Sequence, residues 1–179
     1  MSLRPPGTSG GGVRRMKDGA ITAFTTRDGL SSNIVMSIAA LENGTVWVGT
    51  REGLRRYTGG RFESYFSDVW GIGGQQMLER ASVQGIPALA TDREGNLWFG
   101  TRLDGLGRLR EGLFDRVTGG DTTGQGVDVR TLLGDGSGNL WVGTAHDLRR
   151  FQGETVTLYQ YGSPAGEAVD ALAIDSRGV

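Results

Sequence analysis

The 179-residue chain contains no cysteine and a single histidine, His146. Without cysteine it can hold neither a disulfide framework nor a metal ion on thiolates, although this leaves the cellular compartment open. The formal net charge is only -1, so electrostatics give no reason to expect nucleic acid or an anionic membrane as a partner. No apolar run approaches the roughly 18 residues that a membrane-spanning helix needs. The composition therefore excludes a disulfide-stabilised scaffold, a metal site built on thiolates and a membrane-spanning helix.

The amino terminus, residues 1–6, lacks the apolar segment of an export signal. We expect the chain as it stands to be soluble, with no membrane contact of its own. Glycine is in excess, at 32 of 179 residues against a usual share of about 7%, which favours many tight turns over long helices. The glycines follow no collagen period, and apolar residues recur between them at strand spacing. Neither collagen nor disorder is expected.

One motif recurs along the chain. Intact copies of Gly-x-x-Trp-x-Gly-Thr occupy residues 44–50, 95–101 and 138–144, and a partial copy is visible at Gly7-Thr8. From one Gly-Thr pair to the next the intervals are 42, 51 and 43 residues. A unit of about 40 to 45 residues is what a four-stranded propeller blade needs.

Each unit divides into four predicted strands. First strands are expected at residues 35–40, 86–91, 129–134 and 169–174. The second strands centre on the tryptophans and are apolar on both faces, which indicates that they lie between neighbouring sheets. Third strands begin with Leu-Arg-Arg or its equivalent, and outer fourth strands alternate as half-wetted edges do. Four antiparallel strands repeated radially make a β-propeller, whereas a β-solenoid or open sandwich is the alternative, although solenoid coils are shorter than this period.

The predicted fold is therefore an all-β propeller with roughly four blades' worth of chain, incomplete at both ends. The expected division is a partial blade at 1–33, a blade at 34–66, an insertion loop at 68–83, blades at 86–118 and 129–161, and a partial blade at 169–179. Closure of a small ring by the amino-terminal outer strands is a second option, but such a ring would lack one second strand.

The stretch from Gly29-Leu30-Ser31-Ser32-Asn33 through Arg56-Tyr57 resembles the two-component regulator propeller repeat, and the resemblance extends over almost the whole chain. Leu41 departs from the pattern at an Asp position, and Asp147 replaces the Gly before Leu148. The resemblance implies a periplasmic or other extracytoplasmic sensor module of a bacterial signalling protein, without catalysis of its own. The remaining blades and the downstream signalling domains of the parent protein would then lie outside this chain.

One predicted connection between blades is about ten residues longer than its counterparts. It runs from Phe62 to Ile86 and contains Trp70, Gln75 and Gln76 among glycines. A Trp beside amide side chains can bind a sugar or a peptide by stacking and hydrogen bonding. A tolerated surface insertion is the alternative interpretation.

The loops from second to third strands should open on the same face of a propeller as that connection, and such loops often carry function on repeat scaffolds. Their candidate ligand-binding residues are Arg51, Arg102, Asp104 and His146. These positions differ between copies, which suits recognition but is also what unconstrained loops show.

Two columns recur in every unit and are therefore expected to be structural. The tryptophans should pack between blades, and the arginines should reach backbone carbonyls or a turn Asp, although a basic ring facing an acidic ligand is the alternative. The members are Trp47, Trp98, Trp141, Arg15, Arg56, Arg108 and Arg150.

Two local matches to site motifs are discounted. Residues 7–11 fit Gly-x-Ser-x-Gly, but the repeat alignment places Ser9 in a loop between strands rather than in a strand-to-helix elbow. Residues 135–139 imitate half of a calcium loop, yet Leu140 stands where that loop requires Gly. No catalytic residue, metal site or cofactor is predicted.

The leading hypothesis is a non-catalytic module that binds a small molecule, with a carbohydrate as one candidate, and passes the signal to attached domains. A propeller enzyme, either a lyase or a glycosidase, is the second hypothesis, and it would need acidic or His residues converging at the channel mouth. A scaffold for protein partners is the third.

Overall fold

The computed structural model describes residues 10–64, 85–110, 113–117, 127–160, 162 and 166–175. The strands are β1 (Val13–Lys17), β2 (Ala20–Phe24), β3 (Val35–Ala40), β4 (Val46–Thr50), β5 (Gly53–Thr58), β6 (Arg61–Ser64), β7 (Ala88–Thr91), β8 (Leu97–Gly100), β9 (Leu106–Arg110), β10 (Leu113–Val117), β11 (Val129–Gly134), β12 (Asn139–Thr144), β13 (Leu148–Gln152) and β14 (Thr155–Tyr159). A 3₁₀ turn, Thr26–Asp28, follows β2.

The strands form three four-stranded sheets and one two-stranded sheet, and every pairing is antiparallel between consecutive strands. We call β1–β2 the half sheet, β3–β6 the first sheet, β7–β10 the second sheet and β11–β14 the third sheet. Within each four-stranded sheet the strands run in sequence order from one edge to the other. The prediction of an all-β fold built from four-stranded antiparallel blades is confirmed.

The first strand of the second sheet begins later than predicted. It was expected at residue 86, but β7 starts at Ala88. The N–H of Ile86 donates to the carbonyl of Thr50 in the first sheet at 3.0 Å, and Pro87 has no N–H to offer a ladder. These two residues therefore connect the sheets instead of extending the strand.

The predicted strand at 169–174 is not formed as a hydrogen-bonded strand, because residues 166–175 pair with no second strand in the part of the chain that the structure describes. Its first residue is nevertheless held as in the other units. The N–H of Val169 donates to the carbonyl of Thr144 at 2.9 Å. The segment has the docking contact of a first strand without its ladder.

Apolar side chains fill the spaces between successive sheets. Trp47 lies in a cluster with Ile86, Leu97 and Phe99, between the first and second sheets. Trp98 lies in the corresponding cluster with Leu140, between the second and third sheets. The half sheet packs through Val13 and Phe24 on the other face of the first sheet.

Trp141 occupies the equivalent place on the outer face of the third sheet, where no further sheet covers it among the described residues. It is half-buried, and its ring lies 5.6 Å from that of Tyr159.

The repeated arginines of the four-stranded sheets pack against aromatic rings. Each lies directly across a strand pair from the Trp of its own sheet, as in the pairs Trp98 with Arg108 and Trp141 with Arg150. The guanidinium carbon of Arg108 is 5.2 Å from the centre of the Trp98 ring, and that of Arg150 is 5.8 Å from the Trp141 ring. The register places the two side chains on one face, and Arg108 also lies 3.5 Å from Asp115 of β10.

Arg15 in the half sheet also lies beside aromatic residues, one in its own sheet and one in the first sheet. Its guanidinium lies 5.5 Å from the Phe24 ring centre and donates to the Tyr57 hydroxyl at 2.9 Å.

The turn between first and second strands is built around an Asp in two sheets. Asp135 accepts hydrogen bonds from the backbone N–H groups of Ser137 and Asn139, and from the Asn139 amide and the Trp141 indole. Burial acts to raise the pKa of Asp135, but these hydrogen bonds outweigh it and lower the pKa below its ordinary value. Asp92 makes the corresponding bonds with Asn96 and Trp98.

In the first sheet Leu41 takes this position and packs against the neighbouring apolar cluster instead. The turn is therefore built on a carboxylate in the second and third sheets and on an apolar side chain in the first.

Candidate ligand-binding face

A Gly-Thr pair lies at the end of each second strand, with Thr101 just beyond β8, and its glycine permits the sheets to dock. A Cβ on Gly100 would collide with the side chain of Val129, which begins the third sheet. A Cβ on Gly49 would lie 2.5 Å from the carbonyl oxygen of Ile86, and one on Gly143 would lie 2.7 Å from that of Val169. At all three steps the glycine leaves room for the first residue of the following unit.

The threonine of each pair holds the loop that follows. Thr101 is fully buried, and its hydroxyl donates to the carbonyl of Gly105 at 3.2 Å and accepts from the N–H of Asp104 at 3.0 Å. Thr50 and Thr144 close their loops in the same way. The hydroxyl thus bonds both ends of each loop, although the loop of the second sheet is one residue longer than the other two.

These loops lie beside the segments that lead into the first strands. The N–H of Arg51 donates to the carbonyl of Ile34 at 3.0 Å, and that of Ala145 donates to Asp128 at 3.0 Å. Gly166 approaches the His146 carbonyl so closely that a Cβ there would collide with it. We call the loops 51–52, 102–105 and 145–147, together with these entry segments, the rim. The predicted meeting of the two sets of connections on one face is therefore the geometry that the structure has.

The candidate residues on the rim differ in exposure. Arg51, Arg102 and His146 are exposed, so their side chains are available to a molecule arriving from solvent. Asp104 is only 7% exposed and belongs to the closed loop under Thr101. Asp104 therefore helps to form the loop, and little of its side chain is accessible to a ligand.

Trp70, Gln75 and Gln76, which were predicted to contribute to the same face, lie outside the described residues. Their role stays a prediction.

The rim of the third sheet contains an ion pair that takes the place of a glycine. Asp147, at the position of Gly53 and Gly105, receives two hydrogen bonds of 2.9 Å from the Arg149 guanidinium and one from the Thr144 hydroxyl. A bidentate pair of this kind is among the strongest charge-assisted contacts in proteins. The side chain thus ties down a loop that glycine shapes in the other two sheets.

A second charged group on the rim was missed by the sequence reasoning. Arg130 donates to Asp170 at 2.8 Å and lies 3.6 Å from Asp128. This hydrogen bond to Asp170 is the largest of the effects that raise the pKa of Arg130 above its ordinary value. The column that follows the first residue of each first strand reads Met36, Pro87, Arg130 and Asp170, and its variation was the signal that could have identified it.

Within the described ranges no three His, Cys, Asp or Glu side chains gather as a metal site would require. No helix in this part of the chain is long and apolar enough to cross a bilayer. The rim presents exposed charged side chains and an imidazole around apolar sheets, which is a surface suited to hydrogen bonding a polar molecule.

Comparison with solved structures gives the fold independently. The chain matches the extracellular domain of a protein described as a hybrid two component system from B. thetaiotaomicron, with 23% identity, a TM-score of 0.66, and coverage of 89% of this chain and 21% of that one. It also matches virginiamycin B lyase from Staphylococcus aureus, with 18% identity, a TM-score of 0.60, and coverage of 87% and 50%. The chain thus spans about a fifth of the first of these proteins.

A comparison with curated proteins finds no match. The family model described as "Two component regulator propeller" matches residues 29–52, 82–102 and 123–146. Each matched stretch ends in the loop after a Gly-Thr pair, at the rim.

Proposed function

We propose that this chain, which matches the model described as "Two component regulator propeller" over three stretches, is an extracytoplasmic input module of a bacterial two-component-type sensor. In this role it binds a small polar molecule at the rim and transmits binding to attached domains without catalysing a reaction. The missing blades and the signalling domains of the parent protein are its structural partners, and no cofactor is required.

The observation that supports this proposal is the separation of framework and exposed positions at the rim. The glycine and the threonine of each Gly-Thr pair serve docking and loop closure. The exposed side chains that follow are Arg51, Arg102 and His146. Exposed polar side chains held on a closed framework can recognise a polar ligand.

The solved domain from B. thetaiotaomicron supports the extracytoplasmic location, since it is described as extracellular. Its identity of 23% supports the fold, and the location of this chain is inferred by analogy.

We propose a carbohydrate as the ligand class. Hydroxyl groups accept from guanidinium and imidazole donors and donate to carboxylates, and Arg51, Arg102 and His146 supply such donors at the rim. Trp70, Gln75 and Gln76 are proposed to complete the site by stacking and amide hydrogen bonds.

The test is a screen of the 179-residue chain against neutral and acidic oligosaccharides by calorimetric titration. For a sugar that binds, we expect the double variant Arg51→Ala, Arg102→Ala to weaken binding about tenfold or more, because each lost charged hydrogen bond is worth about 1.5 to 3 kcal/mol. Arg61→Ala, on the outer strand β6 away from the rim, is the matched control and should bind normally. Deletion of residues 70–80 should also weaken binding. Unchanged affinity in both the double variant and the deletion variant would refute the proposed site.

A lyase is the second candidate, because virginiamycin B lyase shares the propeller fold. His146 is the histidine of this chain, and its side chain is exposed on the rim. If the chain were such an enzyme, turnover of a bound ligand should be measurable and should disappear in His146→Ala. Binding without turnover would favour the sensor.

A further inference from the structure

A cleft opens between the second and third sheets at the end opposite the rim. Its walls include the β7–β8 turn, the β13–β14 turn and the side chains of Arg108 and Arg110. The cavity volume is about 740 Å³, within the range of about 300 to 1,000 Å³ that is usual for small-ligand sites. The cleft is therefore large enough for a small ligand the size of a few amino-acid residues.

Charged groups of both signs stand around the cleft without partners. Glu94 and Arg110 belong to the second sheet and Glu154 to the third. Among the described residues, none of these three side chains makes a hydrogen bond or an ion pair. By contrast, Asp92 on the same wall is satisfied by the Trp98 indole and by Asn96. The unpaired groups are thus available to a ligand, whereas the Asp is part of the turn.

The aromatic ring at this site offers no stacking surface. Trp98 is 7% exposed, its indole N–H is donated to Asp92 at 2.7 Å, and the Arg108 guanidinium covers the ring. A sugar would require an open ring face for stacking. The recognition chemistry that remains is ionic.

Glycines line the remainder of the cleft. Gly95, Gly138 and Gly153 have no atom within 4 Å of the position that a Cβ would occupy. They leave open space for the main chain of a ligand, although the N–H of Gly95 is already donated to the carbonyl of Asp92 within the turn.

We propose that this cleft binds a short peptide as a zwitterion. Arg110 binds its terminal carboxylate, Glu154 and Glu94 bind its terminal ammonium group, and the glycine turns leave room for its main chain. Because Arg110 belongs to the second sheet and Glu154 to the third, such a ligand joins two blades. This site lies at the opposite end of the sheets from the rim and is independent of the function proposed for the rim.

The probe is tri-alanine, titrated into the 179-residue chain by calorimetry beside N-acetyl-tri-alanine and tri-alanine amide, each of which lacks one terminal charge. We expect tri-alanine to bind, and each blocked form to bind about tenfold more weakly or worse, as the loss of a charge-assisted hydrogen bond requires. Absence of binding at millimolar peptide, or equal binding of the three peptides, overturns the proposal.

Two variants assign the ends of the peptide. Glu154→Gln should abolish the preference for the free ammonium group over the acetylated form, while Arg110→Gln should abolish the preference for the free carboxylate over the amide. Arg61→Gln and Glu63→Gln, an exposed pair on β6, are the matched controls and should leave all three affinities unchanged. If the cleft variants retain both preferences, the peptide binds elsewhere and the assignment is wrong.

Discussion

The Gly-Thr pair of each unit and the loop residues just after it have opposite roles in this molecule. Gly100 and Thr101 are enclosed by the neighbouring sheet and by their own loop, whereas Arg102, the next residue, is exposed. The same change occurs from Thr50 to Arg51. Framework and recognition surface are therefore separated by a single peptide bond. A substitution in the Gly-Thr pair should lower stability, whereas a substitution of the exposed residue after it should affect binding.

The glycine side of the boundary should show the largest effect. Gly100→Ala places a Cβ 2.7 Å from the Cβ of Val129, and we expect a loss of about 3 kcal/mol in the free energy of unfolding, as for overpacking in a core. Urea denaturation measures it. Gly95→Ala in the same sheet meets no atom but has a positive φ of 81°, and should cost only about 1 kcal/mol. Equal losses at the two positions would show that conformation, and not docking, explains the glycine.

The threonine of the pair should show the second-largest effect on stability. Thr101→Val keeps the shape of the side chain but leaves the buried N–H of Asp104 and the carbonyl of Gly105 without the hydroxyl. We expect a loss of about 2 kcal/mol in the free energy of unfolding. Thr155→Val, exposed on the outer strand β14, is the control and should change it little. A small effect at Thr101 would mean that the loop closes without the hydroxyl.

The turn at the other end of the sheets should add a smaller, pH-dependent effect. The folded-state pKa of Asp135 is lowered, so its contribution is present above the unfolded-state pKa of about 3.9 and is lost as pH falls through the lower folded-state value. We expect Asp135→Asn to cost about 1 kcal/mol at neutral pH and to flatten the decline of stability in acid.

The control for this prediction comes from the first sheet, where Leu41 replaces the Asp. Glu42→Gln in that exposed turn should leave the acid profile unchanged. Thermal unfolding between pH 2 and 7 compares the three proteins. Parallel profiles for the wild type and Asp135→Asn would contradict the role of the carboxylate.

The exposed side of the boundary should show the smallest effect on stability. Arg51→Ala, Arg102→Ala and His146→Ala remove exposed side chains, and each should change the free energy of unfolding by no more than about 0.5 kcal/mol. The same urea titration measures it. A loss above about 1 kcal/mol at any of them would place that residue in the framework.

Much of the fold was predictable because each strand repeats a pattern. The alternation around Trp47 predicted a strand between two sheets, and the structure places the residue there. The start of the second sheet was predicted too early. Val129 donates its N–H to the previous unit as Ile86 does and still begins β11, so the late start of β7 follows from Pro87, which has no N–H for a ladder.

The candidate site was less predictable than the fold. Position in the loops identified Arg51 and Arg102, which are exposed as a ligand contact must be, but it included Asp104, whose burial depends on loop closure by Thr101. It also missed the contact between Arg130 and Asp170. Residues forty positions apart meet there because successive units bring their first strands side by side.

The sequence by itself determined the repeat and the strand order, because hydrophobic alternation and turn glycines act within a few residues of each other. The tertiary structure alone decided which side chains meet: the guanidinium groups over aromatic rings, the docking glycines, and the cleft between the second and third sheets. The physical reason is that these contacts depend on the register between strands and on the spacing between sheets. Both are set by packing across units, which a local pattern does not contain.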